Sequence, residues 1–175
     1  MRDALVAGMT LNIFNKHSDR VKMACIAQLI NVLQSVMLTD GEKMIKTPTY
    51  HVFHMYKYHQ DAELLESSID TEEIGVDEEN KVPNLNESVS MAEDGTVNIT
   101  LTNLSATESY PVELVLLEKE IGEVSAEIVT GDKKAYNDFD HDSDVVEKAF
   151  TDIANENGVL KFTIPACAVV HIAVK

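Results

Sequence analysis

Three histidines close together are the residues whose type and spacing could bind a metal ion. His51 and His54 would share one face of a helix, and His59 follows them. The spacing differs from His-x-x-x-His, and no carboxylate or thiolate lies nearby in that helix to complete a tetrahedral zinc site. We therefore predict no metal here, and we expect the three side chains to dock the helix against its neighbours.

A second constellation pairs His17 with Asp19, two side-chain types found in hydrolytic triads. The third member would be a serine in a Gly-x-Ser-x-Gly turn, and the sequence contains no such turn. The two cysteines, Cys25 and Cys167, are far apart and each lies in an apolar run. This placement favours buried free thiols over a disulfide or a metal cluster.

The distribution of charge divides the chain into two differently built parts. The formal net charge of the 175 residues is -16, yet residues 1–60 contain seven basic and four acidic residues, whereas residues 61–175 contain seven basic and twenty-six acidic ones. An acidic surface repels phosphate backbones, and no basic stripe with interleaved aromatic residues is present. Nucleic acid is therefore not an expected partner.

Neither a membrane span nor an export signal is predicted. The most apolar stretch, residues 23–38, contains Gln28, Asn31, Gln34 and Ser35, and is too short and too polar to cross a bilayer. The first six residues lack the charged start, apolar centre and cleavage site of a signal peptide. A membrane partner is not expected, and the choice between a cytoplasmic and a periplasmic location stays open.

The predicted elements of the first sixty residues follow the order that is typical of an α/β structure. Apolar residues recur every three or four positions from Arg2 to His17, which predicts an amphipathic helix. The apolar run Val21 to Ala27 is typical of a strand buried on both faces, although a helix fits nearly as well. A turn at Asp40-Gly41 precedes a second helix that begins at Thr47-Pro48. Helix, buried strand and helix in this order are found in parallel structures, including the (β/α)₈ barrel.

The remainder of the chain has the alternating pattern of an antiparallel β-sandwich. The clearest strand is Thr96 to Thr102, in which Val97, Ile99 and Leu101 share one face and polar residues share the other. A long loop is predicted from Gly131 to Ser143. The other predicted strands are Glu87 to Met91, Val112 to Leu117, Val124 to Val129, Val159 to Ile164 and Val169 to Val174.

Several sequence blocks resemble glycoside hydrolase family 51 α-L-arabinofuranosidases. The blocks similar to the last part of the family's catalytic barrel are MRDALVAG at 1–8, NIFNKH at 12–17, DRVKMA at 19–24 and IAQLINVLQ at 26–34. Residues 47–56, TPTYHVFHMY, resemble the final barrel helix, and residues 160–174 resemble the closing strands of the family's jelly-roll domain. The resemblance implies a mainly β fold with two parts. Residues 1–60 would be a helix-strand-helix remnant of the (β/α)₈ barrel, and residues 61–175 the C-terminal jelly-roll sandwich.

This resemblance implies retaining hydrolysis of terminal α-L-arabinofuranosyl groups in arabinan, arabinoxylan and related oligosaccharides, without a cofactor. Retention requires two carboxyl groups about 5–5.5 Å apart, one acting as acid/base and one as nucleophile. The family places the nucleophile in an Asp-Glu-Trp context, and this chain contains no tryptophan. The acid/base follows an asparagine, but the pair Asn86-Glu87 lies in the sandwich half, where we expect an exposed, non-catalytic glutamate. We therefore assign no catalytic residue.

The resemblance also implies two candidate substrate-binding residues. Functional groups in these barrels lie at the carboxyl ends of strands and in the loops that follow. Gln28, at the end of the predicted strand, would hydrogen-bond an arabinose hydroxyl, and Asn31 in the next loop is a second candidate. For each amide, the alternative is a purely structural role in which neighbouring backbone groups satisfy it. Members of the family often form homo-oligomers, so self-association is expected.

Two other classes of function remain open at the sequence level. The sandwich could be a carbohydrate-binding module that stacks sugar rings on exposed aromatic residues, for which Tyr110, Tyr136 and Phe139 are the obvious members. It could instead be a structural or assembly domain, because residues 1–60 alone would expose apolar faces. Absence of turnover on an aryl α-L-arabinofuranoside and little binding of arabino-oligosaccharides are the expected properties of this chain.

Overall fold

The computed structural model describes all residues from Met1 to Lys175, and its architecture is mainly β, as predicted. It contains two α-helices, one short 3-10 helix (Lys57–His59) and thirteen strands. The helices are α1 (Arg2–Lys16) and α2 (Pro48–Tyr56). The strands are β1 (Met37–Asp40), β2 (Lys43–Lys46), β3 (Glu63–Leu64), β4 (Glu73–Gly75), β5 (Lys81–Pro83), β6 (Leu85–Met91), β7 (Val97–Asn103), β8 (Tyr110–Val115), β9 (Val124–Thr130), β10 (Lys148–Ala149), β11 (Ile153–Glu156), β12 (Val159–Ile164) and β13 (Ala168–Val174).

Two antiparallel sheets enclose the main hydrophobic core. The larger has six strands in the order β10-β9-β13-β7-β6-β3, and the smaller has three in the order β11-β12-β8. Side chains from both sheets, among them Ile99, Ile172, Leu160 and Ile164, form one buried cluster between them. Burial of such side chains contributes roughly 1.5–3 kcal/mol each. Alternation along the strands therefore turns one face of each sheet towards this core.

The helices cover the opposite face of the six-stranded sheet. Met1, Leu5, Val52 and Met55 pack with Val169 of β13 in a second buried cluster. The close approach of α1 to β7 depends on Gly8, because a Cβ at this position would lie only 2.6 Å from Thr102 Oγ1. The six-stranded sheet is consequently buried on both faces in its central part.

The predicted helices and main strands are confirmed with small shifts in their ends. The helix predicted from Arg2 to His17 is α1, and the one beginning at Thr47-Pro48 is α2. The turn at Asp40-Gly41 joins β1 to β2. Residues 131–147 contain no helix or strand, in agreement with the predicted loop. No helix in the structure is both long enough and apolar enough to span a membrane.

The buried strand predicted from Val21 to Ala27 is wrong for this structure. These residues form no regular element, and most of their side chains are exposed. A strand is stabilised by hydrogen bonds to neighbouring strands, and no strand of this chain pairs with residues 21–27. The same placement corrects the prediction for Cys25, whose thiol is exposed, whereas Cys167 is buried as expected.

Candidate functional site

A buried polar layer centred on Asn12 joins α1 to the six-stranded sheet. Three hydroxyl oxygens lie within hydrogen-bond distance of Asn12 Oδ1: those of Tyr56 at 2.8 Å, Ser88 at 2.9 Å and Thr100 at 2.7 Å. Asn12 Nδ2 donates to the backbone oxygen of Asn86 at 3.0 Å. Burial raises the pKa of the Tyr56 hydroxyl far above its usual value, so this group remains a neutral donor.

Two histidines, the half-buried His59 and the buried His171, extend this layer along the sheet. His59 places Nδ1 2.7 Å from the Ser90 hydroxyl and Nε2 3.0 Å from the Thr100 hydroxyl. The ring of His171 in β13 stacks on Tyr58 with centroids 4.6 Å apart. Burial lowers the pKa of both imidazoles to about 4, so both are neutral at physiological pH. The docking role predicted for His59 agrees with these contacts.

The polar side of β7 was predicted from its alternation, but the cover over it was not. Asn98, Thr100 and Thr102 are all buried, because α1 and the 3-10 helix lie over them. The alternation of Val97, Ile99 and Leu101 with polar residues predicts a strand with one face on the core and the other in solvent. The signal for a second covered face lies in α1 and not in β7. It is the polar residue Asn12, which sits among the buried positions of that helix.

Glu87 is a further correction, since the expected exposed side chain is almost entirely buried. Its carboxylate accepts hydrogen bonds from Lys16 Nζ at 2.5 Å and from the Ser67 hydroxyl at 3.1 Å. The side chain of Glu87 is only 6% exposed. Its partners are a lysine and a serine, so Glu87 forms an ion pair that ties the end of α1 to β6.

His51 and His54 contact a carboxylate that comes from the long loop. Glu147 Oε2 lies 2.9 Å from His54 Nδ1 and 3.6 Å from His51 Nδ1. His51 is buried, which lowers its pKa, and neither of its ring nitrogens has a hydrogen-bond partner within the chain. No group of three or more histidine, cysteine, aspartate or glutamate side chains has a metal-binding arrangement. Both histidines thus lie where α2 meets the loop, as expected for docking residues.

The two predicted substrate-binding residues lie on the connection between α1 and β1. Gln28 is exposed in an irregular segment. Asn31 has a positive φ of 55°, and its amide makes reciprocal hydrogen bonds with Thr39, accepting from the backbone nitrogen at 2.7 Å and donating to the side-chain oxygen at 2.9 Å. The structure therefore brings Asn31 to β1, whereas Gln28 remains exposed on the connection. A role for either residue with substrate stays a prediction.

The connection that carries Gln28 and Asn31 is part of an exposed apolar surface, which we call the open face. It comprises one side of α1, the connection 21–34 and part of α2, and it contains a groove of about 210 Å³ between them. Val6 is 55% exposed, Leu33 81% and Met23 79%. The groove is lined by Asp3, Val6, Ala7, Thr10, Leu11, Phe14, Ala24, Cys25, Ile26, Gln34, Thr49 and Phe53. Exposed apolar surfaces of this kind are found at protein interfaces, membrane contacts and ligand-binding grooves.

The three aromatic residues considered for a sugar-stacking platform do not form one. Tyr110 packs against the core between the two sheets, and its hydroxyl is hydrogen-bonded to Asn84. Tyr136 lies in the long loop beside His141 and is exposed, whereas Phe139 is half-buried. With Tyr110 committed to the core, a planar aromatic surface on the sandwich is not available.

Comparison with known proteins identifies the family. The sequence profile described as the alpha-L-arabinofuranosidase C-terminal domain matches residues 1–168. An intracellular exo-alpha-L-arabinofuranosidase of Bacteroides ovatus is 38% identical over 173 residues, which are 98% of this chain and 34% of that protein. An intracellular exo-alpha-(1->5)-L-arabinofuranosidase of Bacillus subtilis is 27% identical over 93% of this chain and 33% of its own length.

Solved structures give the same result. The family 51 arabinofuranosidase of Xanthomonas axonopodis pv. citri superposes with a TM-score of 0.92 at 36% identity, over 98% of this chain and 35% of that one. A family 51 enzyme of Bifidobacterium longum superposes with a TM-score of 0.89 at 20% identity, which shows the shared fold. The chain spans about a third of the length of these relatives and matches their C-terminal portion. It therefore belongs to the α-L-arabinofuranosidase C-terminal domain family, the C-terminal part of glycoside hydrolase family 51 enzymes.

Proposed function

We propose that this chain is the structural C-terminal portion of a retaining α-L-arabinofuranosidase, acting on terminal α-L-arabinofuranosyl groups, and that it has no hydrolytic activity alone. In this proposal residues 1–60 complete a (β/α)₈ barrel and residues 61–175 form the jelly-roll sandwich that supports it. The catalytic pair is supplied by polypeptide that packs on the open face. The observation that carries the proposal is this exposed apolar face in a chain that matches only the last third of its relatives.

The chemistry of the chain's own carboxylates supports the absence of activity. A retaining mechanism needs two carboxyl groups facing one sugar at about 5–5.5 Å. Glu87 is held by Lys16, and Glu147 is held by His54 at the helix-loop contact. Each of these side chains has a structural partner of its own.

The segment 21–27 supports the role of the open face. Its sequence favours a strand, but it has no strand partner within this chain. We expect it to become a parallel barrel strand when neighbouring barrel strands lie beside it, which would also cover Cys25 and Met23. Protection of the backbone amides of 21–27 from hydrogen exchange on assembly would report this change.

Reconstitution with a related catalytic portion tests the proposal. The chain would be mixed with the N-terminal two-thirds of the Bacteroides ovatus relative, and hydrolysis of an aryl α-L-arabinofuranoside would be measured. We expect no turnover from either piece alone and turnover from the mixture. Enzyme-like release of arabinose by the chain alone would contradict the proposal.

A matched pair of variants shows whether the open face is responsible. Val6→Asp places a charge on the open face, and Val76→Asp makes the same change between β4 and β5, where the valine is 91% exposed. We expect Val6→Asp to abolish reconstituted activity and Val76→Asp to leave it unchanged. Equal activity of the two variants would show that the catalytic portion docks elsewhere.

Gln28 is the residue that we propose contacts substrate in the assembled enzyme. Removal of one hydrogen bond to a neutral hydroxyl costs about 1 kcal/mol, which is roughly a fivefold to tenfold loss in kcat/KM. We expect this loss in Gln28→Ala of the reconstituted enzyme. Gln60→Ala, which truncates an exposed glutamine after the 3-10 helix, serves as the control. An identical kcat/KM for the two variants would remove Gln28 from the site.

A further inference from the structure

A polar cleft on the helix-facing side of the six-stranded sheet is separate from the open face. Its volume is about 510 Å³, within the range of small-molecule sites, and it shares no lining residue with the groove of the open face. It lies beside the 3-10 helix, above the β9 and β13 side of the sheet. Its lining includes Tyr58, Asn98, Ser125, Glu127 and His171.

The cleft contains a carboxylate oxygen that no group of the protein satisfies. Glu127 lies opposite His171 in the β9–β13 register. The Oε2 of Glu127 is buried and accepts no hydrogen bond from the chain. An unsatisfied buried acceptor destabilises the fold, and an O–H donor to a carboxylate makes a short, strong bond. A rotation of the Glu127 carboxylate about its last side-chain bond would turn an unsatisfied oxygen towards the cleft, where a hydroxyl-bearing ligand can donate to it.

His171 presents a second acceptor with a fixed tautomer. Its Nε2 lies 3.0 Å from Asn98 Oδ1, which can only accept, so Nε2 carries the proton and Nδ1 is the acceptor. Because burial holds the pKa of His171 at about 4, the ring stays neutral near pH 7. Stacking on His171 fixes the ring of Tyr58, which remains 39% exposed beside the cleft. Both rings are pre-organised before any ligand arrives.

The charges around the cleft favour a neutral ligand. Asp94, Glu127 and Glu147 contribute carboxylates, and Lys148 and Lys175 contribute ammonium groups. A small anion cannot donate hydrogen bonds to the carboxylates, and a protonated amine cannot accept them from the ammonium groups. Neighbouring hydroxyl groups on a ring can donate to the carboxylates and accept from the ammonium groups at once. We propose that this cleft binds a neutral saccharide unit through its vicinal hydroxyls, a binding site distinct from the proposed catalytic assembly.

Titration of the isotope-labelled chain with L-arabinose and with arabinotriose, followed by NMR, tests this inference. We expect saturable shifts of the backbone amides of Ser125, Asn98 and His171, with a dissociation constant in the millimolar range, about 1–10 mM. Ser125 is exposed and lines the cleft, so Ser125→Trp should fill it and weaken binding at least tenfold. Ser109→Trp, at an exposed serine outside the cleft, should bind like the parent chain.

Ala149→Trp is a second blocking variant, at an exposed residue of β10, and it replaces Ser125→Trp if that variant does not fold. The absence of saturable shifts at these amides up to about 100 mM sugar would overturn the inference. Unchanged affinity in a folded blocking variant would do the same. Equal shifts with acetate or ethylammonium at the same concentration would indicate an ion site and would also refute it. Because no hydrolysis is measured, these results are independent of the reconstitution assay.

Discussion

Replacement of Asn12 by leucine tests whether the buried polar layer holds α1 on the sheet. Leucine has a similar size, so the substitution removes the amide without opening a large cavity. Some of the hydroxyl groups that lose Asn12 Oδ1 as an acceptor can form other hydrogen bonds. The Ser88 and Thr100 hydroxyls are 2.9 Å apart and can bond each other, and the Tyr56 hydroxyl can still donate to the Gly8 carbonyl at 3.0 Å.

Asn12→Leu removes the side-chain donor to one backbone oxygen and the acceptor that three hydroxyls share. The backbone oxygen of Asn86 loses the donor that lies 3.0 Å away. The Ser88-Thr100 pair shares a single hydrogen bond, so its second hydroxyl proton must turn to a poorer acceptor, such as the Ser88 backbone oxygen 3.4 Å from Thr100 Oγ1. At roughly 1–2 kcal/mol for the backbone oxygen and up to about 1 kcal/mol for the weakened hydroxyl bond, we expect the free energy of unfolding to fall by about 1–3 kcal/mol.

Urea unfolding followed by circular dichroism measures this loss, with Asn15→Leu as the matched control. Asn15 is one turn away in α1, is only half-buried and makes one hydrogen bond, to the Ser88 hydroxyl at 3.0 Å. Its replacement should cost no more than about 1 kcal/mol. If Asn12→Leu were as stable as Asn15→Leu, the amide of Asn12 would not be what secures the helix.

Further predictions concern packing, pH and association. Gly8→Ala should lower the free energy of unfolding by about 1–3 kcal/mol, because the new methyl group would meet the buried Thr102; a stabilised variant in the same urea assay would contradict the contact. The depressed pKa values of His59 and His171, about 4 in the fold against 6.5 when unfolded, mean that the unfolded state takes up protons first as pH falls. Stability should therefore be complete above about pH 6.5 and should decline towards pH 4, by about 2 kcal/mol for each histidine between pH 7 and pH 5; a flat profile over that interval would oppose it. The isolated chain should self-associate through the open face, and Leu33→Lys should shift it towards the monomer in sedimentation at micromolar concentration; a monomeric parent chain would refute this.

The sequence was sufficient for elements whose pattern is set by their own residues. Val97, Ile99 and Leu101 alternate with polar residues, and this period requires a strand with one face on a core. α1 was predicted because its apolar residues recur every three or four positions, which is the period of a helix with one buried face. Strands of two to four residues, such as β3 and β10, are too short to produce a pattern. They were missed because they are defined by pairing with distant strands.

The errors came from groups whose surroundings are formed by distant segments. Glu87 alternates as an exposed residue would, yet Lys16 reaches it from 71 positions away in the sequence. The apolar run 21–27 has the composition of a buried strand, but burial needs neighbours outside its own sequence. For the same reason the contact of Glu147 with His54, from 93 positions away, could not be found by inspection of the helix.

The strand order of the large sheet also constrains how the chain can be built on the ribosome. β13 lies between β9 and β7 and supplies hydrogen bonds to both, although these strands are made well before it. Until residues 168–174 leave the exit tunnel, the two halves of the sheet cannot join, and their apolar sides remain in water. The nascent protein is therefore most vulnerable to aggregation before β13 has emerged, when chaperone protection would matter most.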